Sequence, residues 1–321
     1  MKAIFHDRYG GFDVLGLRDL PTPAPAAGEV LVRVQAAGLH VGDCFGVRGA
    51  PFAMRMVSGL MRPKVGVPGF DLAGTVEAVG AGVTRLRPGD EVFGASQGTC
   101  AEYVCAREDR LAPRPANLSP VQAAALATSG LAALHGIRDA ARVQAGQSVL
   151  IVGASGGVGS YAVQIARALG AEVTGVCGPA NVERVRSIGA AHVIDYTRED
   201  FTAGPRRWDV ILDNIEDRPL SARRRALTPD GTLVCNSGTG ATGMRMMLRL
   251  LAPLVLAPFV RHKLKRFISA PKYADLVVLQ QMVESGAVTP LIDRTFPLAE
   301  TPAALAYIEQ GHARGKVVVT V

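Results

Sequence analysis

The hydrophobic rhythm of the chain changes twice. Before residue 106, short runs that alternate apolar and polar positions, 29–34 (EVLVRV), 72–79 (LAGTVEAV), 90–93 and 102–105, are separated by turn formers such as Pro88, Gly89 and Asp90. Alternation of period two buries one face of a strand, so this region is predicted to be a strand-rich barrel or sandwich. Near Leu118 the texture shifts. Ser119 and Pro120 open an Ala-rich stretch of helical period, predicted as one helix interrupted at Ser129 and Gly130.

Continuous apolar runs then alternate with helical segments: strand 148–152, helix 158–169, strand 172–177, helix 181–188, and strands 192–195, 208–213 and 232–236. Asn181 is expected to be the N-cap of its helix, with Gly189 just past the end. Strands this apolar, joined by helices, are covered on both faces, which predicts a doubly wound parallel sheet. Beyond Pro271 come helices at 274–285 and 302–310 and a last strand at 316–321, whose β texture predicts a return to the first region. The expected fold class is α/β: a β-rich domain (1–118 with 271–321) interrupted by a dinucleotide-binding type of domain (119–270).

The strongest local signal is the turn after strand 148–152, GASGGVG at 153–159. Counted from Ala154 it reads A-x-G-x-x-G, through Gly156 to Gly159, with Ser155, Gly157 and Val158 between. A strand delivers the chain to a glycine turn, and the next helix offers free amides and a positive dipole end to a pyrophosphate. The end of the second strand then bears on the choice of dinucleotide. NAD sites generally place a carboxylate there for the ribose hydroxyls. CGPAN at 177–181 has none, which points to NADPH, with NADH as the other candidate, and Arg184 one turn later is placed to meet a 2′-phosphate.

Composition serves mainly to exclude. With 321 residues, 48% hydrophobic and 20% charged, the chain is a well-packed globular protein, large enough for two domains. Aromatics at 5% argue against base-stacking surfaces, and the +7 charge is spread along the chain in short groups, so no nucleic-acid partner is expected. Five widely spaced cysteines fit a reducing compartment. The first residues lack an apolar signal core and no apolar run is long enough for a membrane span, so a cytoplasmic protein is expected.

With these residues placed, the chain resembles the medium-chain dehydrogenase/reductase superfamily, in particular its zinc-independent quinone oxidoreductase-like members. The likeness spans essentially the whole chain and rests on GFDLAGTVEAVG (69–80), PGDEVFG (88–94), AEYV (101–104), the glycine turn, and GKVV (315–318). It implies a GroES-like catalytic domain interrupted by a Rossmann domain, and a homodimer formed through the Rossmann sheet edge. It also implies cofactor contacts from Thr128 and Ser129 near the nicotinamide, from Tyr196 at the adenosine phosphate, from Asn214 and Ser237 at strand ends, and from Lys316 at the pyrophosphate.

The same comparison argues against a catalytic metal, which needs about three Cys, His or carboxylate ligands. His40 stands where zinc enzymes have Cys, and Phe70 with Asp71 where they have a His-Glu pair; Phe70 cannot ligate. Only Cys100 and Cys105 lie where a structural zinc lobe would need four cysteines. Zinc-free relatives usually carry Asn at the position of His40, within LHVGD (39–43). Asn and His both donate hydrogen bonds, and His can also pass a proton near neutral pH. His40 is therefore the candidate catalytic group, while Asp43 is assigned to the turn.

Two segments, 51–64 and 244–266, are rich in Met, Leu and basic residues. Three readings stay open for them: core packing, the wall of a pocket for a bulky apolar substrate, or, least favoured, a basic amphipathic surface that touches an anionic membrane. The expected activity is NADPH-dependent reduction of a quinone or of an α,β-unsaturated ketone, a small lipophilic carbonyl substrate. The alternatives are a metal-free alcohol or aldehyde oxidoreductase and a non-catalytic NADPH-binding sensor or adaptor.

Overall fold

The period-two stretches become strands, and the longest of them organises the first of two compact units. A computed structural model describes residues 1–52, 55–236, 251–253, 255–311 and 313–321. The first unit holds Met1–Leu131, Ala270–Gly286 and Pro290–Val321; the second holds Ala132–Ser269 and Ala287–Thr289.

In the first unit the chain runs through β1 (Lys2–Phe5), β2 (Gly16–Asp19), β3 (Glu29–Leu39), α1 (Val41–Arg48) and α2 (Arg55–Ser58). It continues as β4 (Asp71–Val79), β5 (Glu91–Ala95), β6 (Tyr103–Arg107), β7 (Leu111–Pro113) and α3 (Pro120–Ala124). β3 pairs antiparallel with β4 and β6, and register shifts along β3–β4 bend the pair, as bulges do. Inward-facing Val30, Val32, Val34, Leu72, Val76 and Val92 form the core of this sheet.

α4 (Ala127–Leu134) follows α3 directly. The break between them is expected at Ser129 and Gly130, but it falls at Ala125 and Leu126, and both expected residues lie within α4. The cause is tertiary. Asp71 Oδ1 accepts from the Thr128 amide at 2.9 Å and from the Thr128 hydroxyl, so a carboxylate from β4 starts the second helix.

The second unit is built from β8 (Ser148–Val152), α5 (Gly157–Ala168), β9 (Glu172–Cys177), α6 (Val182–Ser187), β10 (His192–Asp195), β11 (Trp208–Asp213), α7 (Leu220–Arg225), β12 (Leu227–Cys235) and β13 (Lys263–Arg266). Among the described residues the strands are all parallel, in the order β10-β9-β8-β11-β12-β13. That is the Rossmann order, with the chain crossing over at β8. Leu150, Val176, Ile211, Leu233 and Trp208 pack in its core.

Asn181 is the N-cap residue of α6, as expected, but its side chain makes no capping hydrogen bond, because Pro179 first draws the chain into a 3₁₀ turn, Pro179–Asn181. β13 emerges from the second lipophilic segment; only its Leu264 is buried, a pattern suited to a charged edge strand.

The chain then returns to the first unit through α8 (Tyr273–Glu284), β14 (Ile292–Pro297), α9 (Thr301–Glu309) and β15 (Lys316–Thr320). β15 pairs antiparallel with β3 and parallel with β14, so the last strand joins the first region. Val317 and Val319 pack with Ile4, Leu39, Cys44 and Val47.

Candidate active site

In the second unit, β8 and α5 build a cradle around the glycine turn. Gly153 turns the chain with φ +75°, and the amides of Gly153 and Ala154 both donate to Val176 O on β9. Ala154 and Gly159 are buried, whereas Ser155, Gly156, Gly157 and Val158 are half-buried. The two fingerprint glycines differ in what a side chain would meet. A Cβ on Gly159 would lie 2.0 Å from Gly153 O and 2.8 Å from the Ala154 Cα, whereas one on Gly156 would meet nothing closer than Gly153 O at 3.5 Å. Gly159 is needed for helix-on-strand contact, and Gly156 leaves open the side from which an anion reaches the helix N-terminus. The residues therefore fit a dinucleotide pyrophosphate.

At the end of β9, Tyr196 and Gly178 come together: a Cβ on Gly178 would sit 3.3 Å from the Tyr196 hydroxyl. Arg184 is half-buried on α6. At the ends of β11 and β12, Asn214 donates to Val152 O at 3.0 Å and accepts from the Asn236 amide at 2.8 Å, bracing three strand ends. Beneath this turn lies a buried charge network that the sequence reading missed. Asp213 accepts from the amides of Ile215 and Glu216 and from Arg223, and Arg266 reaches both Glu216 oxygens at 2.9 Å. Burial works against the Arg223 charge, but Asp213, Cys235 and Glu216 outweigh it and raise its pKa. Ser237 lies outside the described residues.

In the first unit, His40 is the N-cap of α1. Its Nδ1 accepts from the Gly42 amide at 2.9 Å while Asp43 Oδ2 accepts from the His40 amide at 2.8 Å, a reciprocal capping box. The ring stacks on Phe70 at 5.5 Å. Its Nε2 is buried and has no hydrogen-bond partner among the described residues. The Asp43 carboxyl is buried too, with Oδ1 lacking a hydrogen-bond partner among the described residues. Burial pushes its pKa above the ordinary carboxylate value, Asp71 adds to the rise, and His40 and Lys316 oppose it.

Lys316, which the resemblance puts at a pyrophosphate, is buried in the first unit. Its Nζ donates to Ser129 Oγ at 3.0 Å and to Asp71 Oδ2 at 3.5 Å. Thr128 is likewise committed to Asp71 through both its donors. A cavity of about 100 Å³ borders Asp43, lined by Val47, Ser58, Lys64, Phe70 and Gln97 among others. Ser58 and Lys64 bring the first lipophilic segment to this cavity, while its Met56 and Met61 are exposed.

The donor set does not suit zinc. The ring stacked on His40 is a phenylalanine, His40 Nδ1 is already bonded to an amide, and burial pushes the neighbouring Cys44 thiol up to about 12 and raises that of Cys100. Among the described residues no three His, Cys, Asp or Glu side chains cluster to hold a metal. No described helix is long and apolar enough to cross a membrane.

Comparison with known proteins agrees with this architecture. Residues 26–116 match the family model for the alcohol dehydrogenase GroES-like domain, and residues 188–319 match that for zinc-binding dehydrogenase. The latter span does not include His40, Phe70 or Asp71. The chain is 30% identical to the chloroplast envelope quinone oxidoreductase homolog of Arabidopsis thaliana, over 99% of this chain and 98% of that protein. It is 31% identical to the 2-methylene-furan-3-one reductase of Solanum lycopersicum, over 99% of this chain and 79% of that protein. The solved quinone oxidoreductase of Coxiella burnetii superposes with a TM-score of 0.86 at 32% identity, over 100% of this chain and 99% of that one.

A GroES-like β domain interrupted by a Rossmann sheet defines a medium-chain dehydrogenase/reductase, and within that superfamily the chain belongs to the quinone oxidoreductase branch. It is an oxidoreductase that uses a nicotinamide dinucleotide.

Proposed function

We propose that the protein works without zinc and reduces quinones or the C=C bond of α,β-unsaturated ketones, with NADPH as its preferred dinucleotide. The observation that carries the reading is the His40 ring, stacked on Phe70 with Nδ1 taken by Gly42 and Nε2 buried without a partner among the described residues. An imidazole whose Nδ1 accepts carries its hydrogen on Nε2; this tautomer is assigned from the hydrogen bond. A buried donor left unpaired costs about 1–3 kcal/mol, which an incoming carbonyl oxygen relieves. His40 then stabilises negative charge as it develops on that oxygen, the role a metal plays in zinc enzymes. The names of the quinone and alkenal/one reductases among the relatives support this substrate class.

Ser155, Gly156, Gly157 and Val158 would hold the pyrophosphate at the start of α5, with Ala154 and Gly159 keeping the helix close to its strand. Arg184 and Tyr196 would hold the adenosine phosphate, and the braced Asn214 turn the nicotinamide end. The reduced dinucleotide, when bound, supplies the hydride. Asp71, held by Thr128 and Lys316, fixes the start of α4. We assign Lys316 this bracing role and propose that the active protein is a homodimer.

The test is a fluorescence titration with NADPH and NADH, followed by turnover with 9,10-phenanthrenequinone and a simple enone. Tighter NADPH binding with acceptor-dependent oxidation is expected, and His40→Ala is expected to lower kcat by about 10²-fold or more with dinucleotide binding unchanged. Turnover abolished by a chelator and restored by zinc would overturn the metal-free reading. Binding without turnover of either acceptor would make the protein a sensor or adaptor.

A further inference from the structure

We propose that the tongue at residues 58–64 is a membrane-contact site: Leu60 and Met61 enter the headgroup boundary of an anionic lipid bilayer while Arg55, Arg62 and Lys64 meet its phosphates. The proposal is independent of the reaction assigned above. It takes up the first lipophilic segment, whose apolar side chains neither the fold nor the site uses.

The tongue is a fastened turn. The Gly59 amide donates to Arg55 O at 2.9 Å as α2 ends, and the chain doubles back so that the Lys64 amide donates to Ser58 O at 2.8 Å. Gly59 has φ +120°, and a Cβ there would lie 2.1 Å from Arg62 O, so the reversal requires glycine. Tyr9 holds the base: its hydroxyl donates to Gly59 O at 2.7 Å and lies 2.9 Å from Ser58 Oγ. Held in this way, the turn presents Leu60 and Met61 to the outside, 59% and 89% exposed, with Met56 on α2 at 77%. Large apolar side chains grouped on a surface mark a place of contact.

Of the readings open for this segment, exposure removes core packing for these side chains, and the cavities remove the pocket wall. Ser58, Pro63 and Lys64 line the cavity that Asp43 borders, and Arg62, Pro63 and Lys64 line an open groove next to it. Phe52, Met56, Leu60 and Met61 line neither. The inner edge of the tongue therefore faces the cavities, and its apolar tip faces away from them.

Charge identifies the partner. Between Asp43 and Asp71 the sequence has no Asp or Glu, while it carries Arg48, Arg55, Arg62 and Lys64. Arg48 pairs with Glu309. Arg55 donates to Gly49 O and lies over the Tyr9 ring, contacts that leave its charge uncancelled. Among the described residues no carboxylate forms an ion pair with Arg55, Arg62 or Lys64. Asp7 is the one acid lining the groove beside them; His6 there is buried, and Asp43 is buried on the inner side. The balance at the tip is positive. Two copies of the chain meeting tongue to tongue would set these cations against each other, because a two-fold interface presents the same patch from both sides. An anionic bilayer offers an apolar layer for Leu60 and Met61 and phosphates for the basic heads, whose stems lie along the boundary. The insertion is shallow, side chains only, because the turn's backbone groups need water or headgroups.

Sedimentation of the protein with phosphatidylcholine vesicles, with and without phosphatidylglycerol, tests the proposal. The protein is expected to pellet with the mixed vesicles, to stay in solution with phosphatidylcholine alone, and to come off in about 1 M salt, where charges are screened beyond about 3 Å. Leu60→Ser combined with Met61→Ser keeps the net charge at +7 and is expected to weaken binding at least about tenfold. Its urea midpoint is expected to match the parent's, since both side chains are exposed. Arg62→Glu is expected to weaken binding by a similar factor. Arg87→Glu, the same change of charge at an exposed site just before β5, is expected to change it far less. Parent-like binding by the double serine variant, or equal losses in Arg62→Glu and Arg87→Glu, would mean that net charge alone draws the protein to the vesicles; either result overturns the site. A parent that ignores the mixed vesicles overturns it too, whether the protein then stays single or self-associates through the tongue in sedimentation velocity.

Discussion

Lys316 and Asp71, 245 residues apart in the chain, meet at 3.5 Å in the interior of the first unit, their side chains 2% and 0% exposed. Removing one partner of a buried ion pair leaves an uncompensated charge and costs about 3–5 kcal/mol. Lys316→Met is therefore expected to lower the unfolding free energy by about that amount. Adding Asp71→Asn, which keeps an acceptor for Thr128 but no charge, is expected to restore most of the loss. Urea unfolding of the single and double variants measures both, and strict additivity of the two effects would contradict a direct pairing.

The glycine turn makes a paired prediction, because its two glycines face different neighbours. Gly159→Ala puts a methyl 2.0 Å from the Gly153 carbonyl oxygen, so α5 must shift away from β8. Overpacking of that kind costs about 1–3 kcal/mol. Gly156→Ala has only an ordinary contact at 3.5 Å on the protein side and is expected to leave the urea midpoint unchanged. It places its methyl where the pyrophosphate would approach, so NADPH binding is expected to weaken at least tenfold. Comparable destabilisation by both variants would show that Gly156 is also a packing glycine.

Much of this architecture can be read from local pattern. Apolar runs at 148–152, 172–177 and 208–213 are strands because a sheet covered on both faces buries most of the side chains its strands carry. What escapes is decided by residues far apart in sequence. Lys316 opens a strand after Gly315 and reads locally as an exposed lysine; only the pairing of β15 with β3, and of β3 with β4, brings it to Asp71. The break before α4 is invisible for the same reason, since the carboxylate that starts the helix belongs to β4. Asn181 has the residue type of a cap, but the preceding proline sets a different turn. At the site, His40 stands out by its departure from the usual Asn. Asp43 reads as a turn former, which it is; that its Oδ1 has no partner among the described residues is a property of the packed interior.

Dinucleotide preference has its own test at the end of β9. No carboxylate follows Cys177, and Gly178 lies against the Tyr196 hydroxyl. If Arg184 meets the 2′-phosphate, Arg184→Met removes a charged hydrogen bond worth about 1.5–3 kcal/mol, or roughly 10- to 150-fold in affinity. NADPH binding is expected to weaken by that factor and NADH binding to stay as it is. Equal weakening of both would move Arg184 from recognition to support of α6.

The buried carboxyl of Asp43 also makes stability depend on pH in a direction opposite to most acids. Burial raises its folded-state pKa above the ordinary 3.8, so the native protein holds this proton more tightly than the unfolded chain does. Below pH 3.8 both states are protonated and the group contributes nothing to the pH dependence. As pH rises past that value the unfolded chain releases the proton first, and unfolding is favoured until the folded-state pKa is passed. Asn at this position has no proton to lose. The unfolding free energy of Asp43→Asn is therefore expected to gain on that of the parent across this interval and to hold a constant offset above it. Urea unfolding at a series of pH values measures the difference. A difference that moves the other way would mean that Asp43 is held ionised in the native protein.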